Sequence, residues 1–257
     1  MKMIVFKDYA DFYDSPYEDK NYHEECNFVK SIFETYSEKK VSSILDIGCG
    51  TGSYALLFAD MGYAVTGVDI SENMLEIARK KASDQKKHII FVQQDVRHLD
   101  LPQKFDATVA MFAVMSYQTT NQDFEDTLTS VHRHLNTGGL FIFDVWFGPA
   151  VLTQKPTDRV KIIEQKDKRI IRYAHPVLDM VNNTVEVNYT VLKIAENNVV
   201  RETKESHLMR FFFCQELKYF LEKNGFEVLK MIPFMEINGV LSENDWDMTL
   251  VARKLLK

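Results

Sequence analysis

The chain has 257 residues, with 31 Lys and Arg against 37 Asp and Glu, a formal net charge of −6. Hydrophobic residues make up 46% and charged residues 26%. That balance is ordinary for a globular protein and excludes a disordered chain, a collagen-like chain and a small disulfide scaffold. The acidic excess argues against a nucleic-acid partner, which needs a clustered positive surface. Cys26, Cys49 and Cys214 are widely spaced, with no paired-cysteine motif, and suit a reducing compartment. The opening stretch, Met1 to Asp8, is too short in apolar length for a signal peptide. The longest nearly apolar run, Ala107 to Met115, falls well short of the roughly 20 residues that a membrane helix needs. A cytoplasmic protein with no membrane partner is expected.

In chain order, the first 40 residues are rich in acids and aromatics, among them Tyr9, Phe12, Tyr13, Tyr17 and Tyr22. Apolar positions from Tyr22 to Tyr36 recur at helical spacing. Ile44 to Ile47 reads as a strand entering a glycine-rich turn. A helix follows from Ser53 to Met61 and stops at Gly62. Ala64 to Val68 is a second strand, ending in Asp69. Ser71 can cap the next helix, whose apolar face carries Met74, Leu75, Ile77 and Ala78. Ile89 to Val92 and Phe105 to Met111 are the third and fourth strands. Asn121 to Leu135 is a helix that Gly138-Gly139 is expected to end, and Leu140 to Val145 is the fifth strand. This alternation predicts a parallel sheet with helices on both faces.

Residues 159 to 209 change pattern. Val160–Ile163, Ile170–Ala174, Thr184–Ile194 and Val199–Met209 are rich in β-branched residues and partly alternating. Asn182-Asn183 and Asn197-Asn198 are turn candidates between them. These are the marks of an antiparallel insert. Helix (Gln215 to Asn224), strand (Phe226 to Met231) and strand (Met248 to Ala252) complete the chain. One domain is expected over 1–257: an N-terminal lid (1–40), a ligand-binding core (41–150), the insert (155–210) and a C-terminal completion of the sheet (211–257).

The strongest local signal is Ile44-Leu45-Asp46-Ile47-Gly48-Cys49-Gly50-Thr51-Gly52. A strand running into closely spaced glycines lets backbone approach a ligand, and the following helix points its free amides at it. Asp69 ends the second strand, where a carboxylate can accept from both hydroxyls of a ribose. Asp95 follows the third strand and can accept from an adenine amino group, with Val96 against the ring. Two cofactors fit. Gly50-Thr51-Gly52-Ser53-Tyr54-Ala55 matches the dinucleotide pattern G-x-G-x-x-A. An S-adenosylmethionine site accounts for more residues, adding Asp46, the Gly48/Gly50/Gly52 spacing and Asp95.

The segment from Ile44 to Asp69 resembles motif I and the ribose acid of class I S-adenosylmethionine-dependent methyltransferases. Met111-Phe112-Ala113-Val114-Met115 resembles the family's segment after the fourth strand, and Leu135 to Ile142 its entry to the fifth. The resemblance implies an α/β Rossmann-like sheet of seven strands in the order 3-2-1-4-5-7-6, its last strand antiparallel, with the β insert between strands 5 and 6. It also implies a cofactor site of Tyr22, Asp46, Gly48, Gly50, Gly52, Asp69, Ile70, Met74, Asp95, Val96 and Met111.

Tyr9 to Asp14, the long insert and Glu205-Ser206-His207-Leu208 are similar to nucleotide-sugar N-methyltransferases, which dimethylate the amino group of dTDP-amino-deoxysugars. In that group an N-terminal Tyr and a His after the fourth strand lie beside the acceptor amine. Tyr13 matches the first, and Tyr117 stands where the His would be. The group's Gly/Arg-rich segment before the final strand reads Leu241 to Trp246 here. The resemblance therefore implies Tyr13 and Tyr117 as catalytic candidates, Tyr9, Asp144 and Trp146 as substrate-binding candidates, a small-molecule acceptor and a homodimer through the insert. Arg210 is read as an ion-pairing residue at the insert edge. No metal site is expected, because His132 and His134 lie two apart on a helix and face different sides. Transfer to oxygen or carbon, a nicotinamide-dependent oxidoreductase, and a cofactor-binding protein without turnover are the alternatives.

Overall fold

The computed structural model describes residues 20–165, 168–195 and 198–256. Helix α1 (Tyr22–Tyr36) leads into β1 (Ser43–Ile47), α2 (Ser53–Asp60), β2 (Ala64–Asp69), α3 (Glu72–Asp84), β3 (Ile90–Gln93) and β4 (Phe105–Ala110). Helix α4 (Asn121–His134) then precedes β5 (Leu135–Phe147) and the short α5 (Gly148–Gln154). The insert supplies β6 (Arg159–Gln165), β7 (Lys168–Asp179), β8 (Thr184–Ala195) and β9 (Asn198–Phe212). Helix α6 (Cys214–Lys223), β10 (Phe226–Pro233) and β11 (Asp247–Lys254) close the chain.

Strands β3, β2, β1, β4 and β5 lie side by side in parallel. Strand β11 pairs antiparallel with β5, and β10 with β11. Counting only the seven core strands, this is the order 3-2-1-4-5-7-6 expected from the sequence. The sheet is apolar on both faces because helices cover both. Leu45 and Ile47 of β1 join Phe124, Leu128 and Val131 of α4 and Leu217 and Leu221 of α6 on one side. Ile44 joins Val29, Ile32 and Phe33 of α1 and Ala55 and Phe58 of α2 on the other. Successive side chains of a strand alternate between those cores. Each fully buried side chain of this size stabilises the fold by roughly 1.5–3 kcal/mol.

Two expectations shift. Helix α4 ends at His134, four residues before Gly138, and β5 starts at once at Leu135. Leu135 already pairs with Phe105 of β4, and the ladder resumes at Ala107 and Leu140 after an irregularity that takes up the glycines. Gly138-Gly139 is thus an interruption inside a long strand entry, not the helix stop. Strand β7 also runs on to Asp179, through Pro176. Its pairing with β6 stops at Ala174, so one edge beyond that point is open, and a proline without an N–H is tolerated there. The β7–β8 turn falls at Asn182-Asn183 as expected, with Asn183 at φ 55. The Asn197-Asn198 turn lies partly outside the described residues.

The insert is a four-stranded antiparallel sheet in the order β6-β7-β8-β9. Among the described residues its ladder joins the core sheet through two residue pairs, Trp146 with Phe211 and Phe147 with Phe212, at the carboxyl end of β5. Ligands of open α/β sheets bind at the carboxyl ends of the parallel strands. The insert is therefore a wall over that edge. Among the described residues no helix is long and apolar enough to cross a membrane.

Candidate active site

A cavity of about 770 Å³ opens along the carboxyl ends of β1, β2, β4 and β5 and extends beneath the insert. This is within the range of small-molecule sites. Its near end is the glycine turn. Gly48 sits at φ 66, and a Cβ there would lie 2.5 Å from Cγ1 of Val114. The turn after β1 therefore fits directly beneath the segment after β4. Gly52, the N-cap of α2 at φ 79, faces Ala78 and Phe91 and not the cavity. Its absent side chain permits helix-to-helix approach, and Gly48 and Gly50 are the turn residues that line the cavity.

Asp69 organises this end. Its Oδ2 accepts from the Gly50 amide at 2.8 Å, and its Oδ1 from the Ser71 amide at 2.8 Å. One carboxylate thus ties the glycine turn to the start of α3. Burial raises its pKa, and the amides of Ser71, Gly50 and Ile70 oppose that shift. Asp46 is placed differently from Asp69. It lies beneath the turn, outside the cavity lining, with Oδ2 buried and without a hydrogen-bond partner. Burial, and then the neighbouring Asp69, push it up to about 8. A neutral carboxyl there avoids the cost of an unpaired buried charge.

Ile70, Met74, Asp95, Val96 and Met111 all line the cavity. Ile70 is exposed and Met74 fully buried. Asp95 caps the turn of 3-10 helix at Val96–His98. Its carboxylate accepts from the backbone N and the Nε of Arg97, at 3.0 and 2.9 Å, and this guanidinium holds its pKa down. Arg97 reaches on to Asp123 at 2.5 Å. Tyr22 does not line the cavity. It stands edge-on to Tyr54 at 5.2 Å, in the layer behind. Tyr9 and Tyr13 lie outside the described residues.

Asp144 faces the cavity but spends both oxygens on backbone. Oδ1 accepts from the Phe112 amide at 2.6 Å and Oδ2 from the Ala113 amide at 2.7 Å. Phe112 and Ala113 have φ of 70 and 57, a left-handed pair that non-glycine residues adopt only when the surroundings enforce it. The carboxylate of β5 enforces it, so the segment after β4 keeps its shape by a bond across 31 to 32 residues. Burial and the neighbouring charge of Asp247 push Asp144 up to about 7. Trp146 also lines the cavity, edge-on to Trp246 at 5.8 Å.

At the far wall the sequence pointed to Tyr117 but not to its partner. Tyr117 lies in a short 3-10 turn after β4, and its hydroxyl is 2.8 Å from Nδ1 of His207 on β9. Nε2 of His207 stands 3.3 Å from Oε2 of Glu205. Tyr189 of β8 packs edge-on to the imidazole at 5.2 Å. Tyr117, Tyr189 and His207 all line the cavity. The only sequence signal for His207 was its place in Glu205-Ser206-His207-Leu208 on an alternating strand, where it takes the inward, buried parity. Lys20 also lines the cavity, 3.9 Å over the Phe112 ring and 3.0 Å from Glu25. Arg210 does pair with Glu216 at the insert edge.

Among the described residues the lining carries six acids, Asp69, Asp95, Asp123, Asp144, Glu186 and Asp247, against the cations Lys20, Arg97 and Arg159. That excess suits a ligand with positive charge. S-adenosylmethionine carries a sulfonium and an ammonium against one carboxylate, so the residues present fit it.

Residues 44–139 match the family described as "Methyltransferase domain". The chain is an S-adenosylmethionine-dependent methyltransferase. The match decides between the two cofactors that the glycine turn allowed. A protein of Geobacillus sp. (strain WCH70), named no more specifically than as a methyltransferase, is 27% identical over 228 residues, 89% of this chain and 91% of its own. The dTDP-3-amino-3,4,6-trideoxy-alpha-D-glucopyranose N,N-dimethyltransferase of Streptomyces venezuelae is 28% identical over 223 residues, 86% of this chain and 91% of its own. Among solved structures, an S-adenosylmethionine-dependent methyltransferase of Clostridium acetobutylicum superimposes with a TM-score of 0.83, covering 98% of this chain and all of that one. At 18% identity that likeness shows the fold alone. Among the described residues no cluster of His, Cys, Asp and Glu has the makings of a metal site.

Proposed function

We propose that this methyltransferase acts on the amino group of a nucleotide-linked amino sugar. The observation that carries the reading is the shape of the cavity. It runs without interruption from the Gly48 turn to Tyr117 and the insert wall, so one crevice has room for a cofactor at one end and an acceptor at the other. The likeness to the Streptomyces venezuelae dimethyltransferase supports an amino sugar as that acceptor.

When bound, S-adenosylmethionine supplies a methyl group already activated on a sulfonium. The chain's own task is to bind, align and exclude water. In this reading Asp69 and the Gly50 backbone hold the ribose end, while Asp95, Val96 and Met74 flank the base. Met111 and the Phe112–Ala113 turn, locked by Asp144, form the floor at the reacting end. Tyr117 faces the acceptor, and Trp146 with Trp246 gives its sugar an apolar wall. Lys20 and Arg159, both in the cavity lining, are the cations that would meet a diphosphate. Tyr13 as a catalytic residue and Tyr9 as a substrate-binding residue follow from the sequence resemblance, and the whole chain works as one domain. The insert leaves Val160, Ile162, Val177, Val199 and Val200 exposed, and a second copy of the chain covers them in a homodimer, which gel filtration tests.

The test is transfer of a labelled methyl group to a panel of dTDP-amino sugars, simple amines, alcohols and carboxylates, with the product located by mass spectrometry. Methylation at the sugar nitrogen is expected. Transfer to oxygen or carbon in preference to nitrogen overturns the amine reading.

A further inference from the structure

We infer that His207 and Glu205 fix Tyr117 as a hydrogen-bond acceptor for the substrate's N–H, with His207 a positioning residue and Tyr117 the group that touches the acceptor. The inference rests on the amine reading above.

The tyrosine hydroxyl and Nδ1 of His207 share one hydrogen at 2.8 Å. Which of them donates depends on where the imidazole keeps its proton. Nε2 faces the Glu205 carboxylate at 3.3 Å. A negative charge at that distance favours the proton on Nε2, since an N–H dipole is attracted to it and a lone pair is repelled. Nδ1 is then the acceptor, and the tyrosine must donate to it. His207 is almost fully buried, so water does not compete for that bond. Tyr189 packs against the ring from the neighbouring strand and holds its plane.

The consequence lies at the phenolic oxygen. Its one hydrogen is committed to His207, so only lone pairs face the cavity. They accept an N–H of the incoming amine. An amine held by its N–H keeps its own lone pair free, and the alkylation needs that lone pair. If the hydroxyl instead donated into the cavity, it would bond the amine's lone pair and block the nucleophile. The insert thus supplies the polarity of a side chain that lies 90 positions away in sequence.

The first measurement needs no acceptor. In protein labelled with 15N-histidine, the seven histidines are resolved by NMR, and His207 is assigned by its loss in His207→Asn. The Nε2–H tautomer is expected, with the Nδ1 resonance shifting in Tyr117→Phe. An Nδ1–H tautomer, or an imidazolium at neutral pH, overturns the inference.

The second measurement is kinetic. His207→Leu is expected to lower kcat on the order of 100-fold, while calorimetry gives an S-adenosylhomocysteine Kd within about threefold of wild type. Adding Tyr117→Phe should then restore kcat to that of Tyr117→Phe alone, because the misdirected hydroxyl is gone. A double variant as slow as the product of the two single effects overturns the inference, since it would make His207 merely structural. If His207→Leu does not fold, His207→Asn decides. Its amide oxygen can still take the tyrosine's hydrogen, so kcat within about fivefold of wild type is expected, and a 100-fold loss overturns the inference. Should the wild type methylate no amine at all, the amine reading fails, and the tautomer measurement still judges the dyad.

Discussion

At one end of the crevice Gly50 and Asp69 meet across 19 positions of sequence; at the other, Tyr117 and His207 meet across 90. The near end is a single strand–turn–helix–strand unit, and its geometry follows from local needs. Positive φ requires glycine, and a carboxylate at the end of the next strand has two amides within reach. The far end has no local logic. It exists because β5 runs on past β4, whose last partner on it is Phe143, and its last two residues pair with β9 while Trp146 still pairs with Asp247 of β11. The difference teaches that the glycine-turn end of the crevice is written in one contiguous motif, whereas the far end is assembled from distant segments. Between the two ends, the turn after β4 is gripped from both sides, by Gly48 beneath Val114 and by Asp144 beneath Phe112 and Ala113.

That division can be broken experimentally. Gly48→Ala should have the largest effect, about 3 kcal/mol of stability in urea unfolding, from a clash with Val114 added to a strained φ. Part of the loss should return in the double variant Gly48→Ala/Val114→Ala. No recovery would show that the two ends do not touch energetically. Asp69→Ala should weaken S-adenosylhomocysteine binding about 100-fold by calorimetry, close to 2.7 kcal/mol, with the acceptor end unaffected. Asp144→Asn leaves one of the two amides facing an amide donor, so about 2 kcal/mol should be lost. Hydrogen exchange at Phe112 and Ala113 should quicken, with little change at the Gly48 turn.

A smaller effect concerns pH. Burial pushes Asp46 up to about 8, Asp144 to about 7 and Asp247 to about 6. Each carboxyl therefore holds its proton more tightly in the folded than in the unfolded chain. Their contribution to stability is complete below about pH 4 and is lost as the pH rises through about 6 to 8. The thermal midpoint should fall over that window. Asp247→Asn should flatten the fall, because it removes one such group and relieves another, Asp144. A midpoint that rises from about pH 6 to 8 would contradict this. The smallest effect is expected for Arg159→Ala, about a threefold rise in the acceptor's KM at low salt, because an exposed cation is well screened.

The strand order of the core was legible in the sequence because burial on both faces leaves apolar runs, and the helices between them carry caps and apolar stripes. Ser71 caps α3 from its predicted place, with its hydroxyl 3.4 Å from the Met74 amide. The antiparallel insert was legible from its alternation and its Asn-Asn turn. Its point of attachment was not, since two residue pairs leave no periodic trace. Among the site residues, Asp69 and Gly50 were readable because their chemistry is local. Asp46 and Gly52 share that motif, and Tyr22 opens α1, but all three lie behind the cavity, and a motif does not state which way each side chain faces. Asp144 was readable as a residue near the cleft. That it holds backbone depends on the strained turn across from it.

The sequence by itself determined the fold class, the glycine turn and the acid that ties it, because hydrophobic periodicity and backbone sterics act over a few residues. Only the tertiary structure decided what the groups at the far end of the crevice meet. Tyr117 and His207 gain a shared hydrogen, and Asp144 its two amides, when strands far apart in the chain are brought side by side. The free energy that holds those groups together comes from burying the sheet, and no local pattern records it.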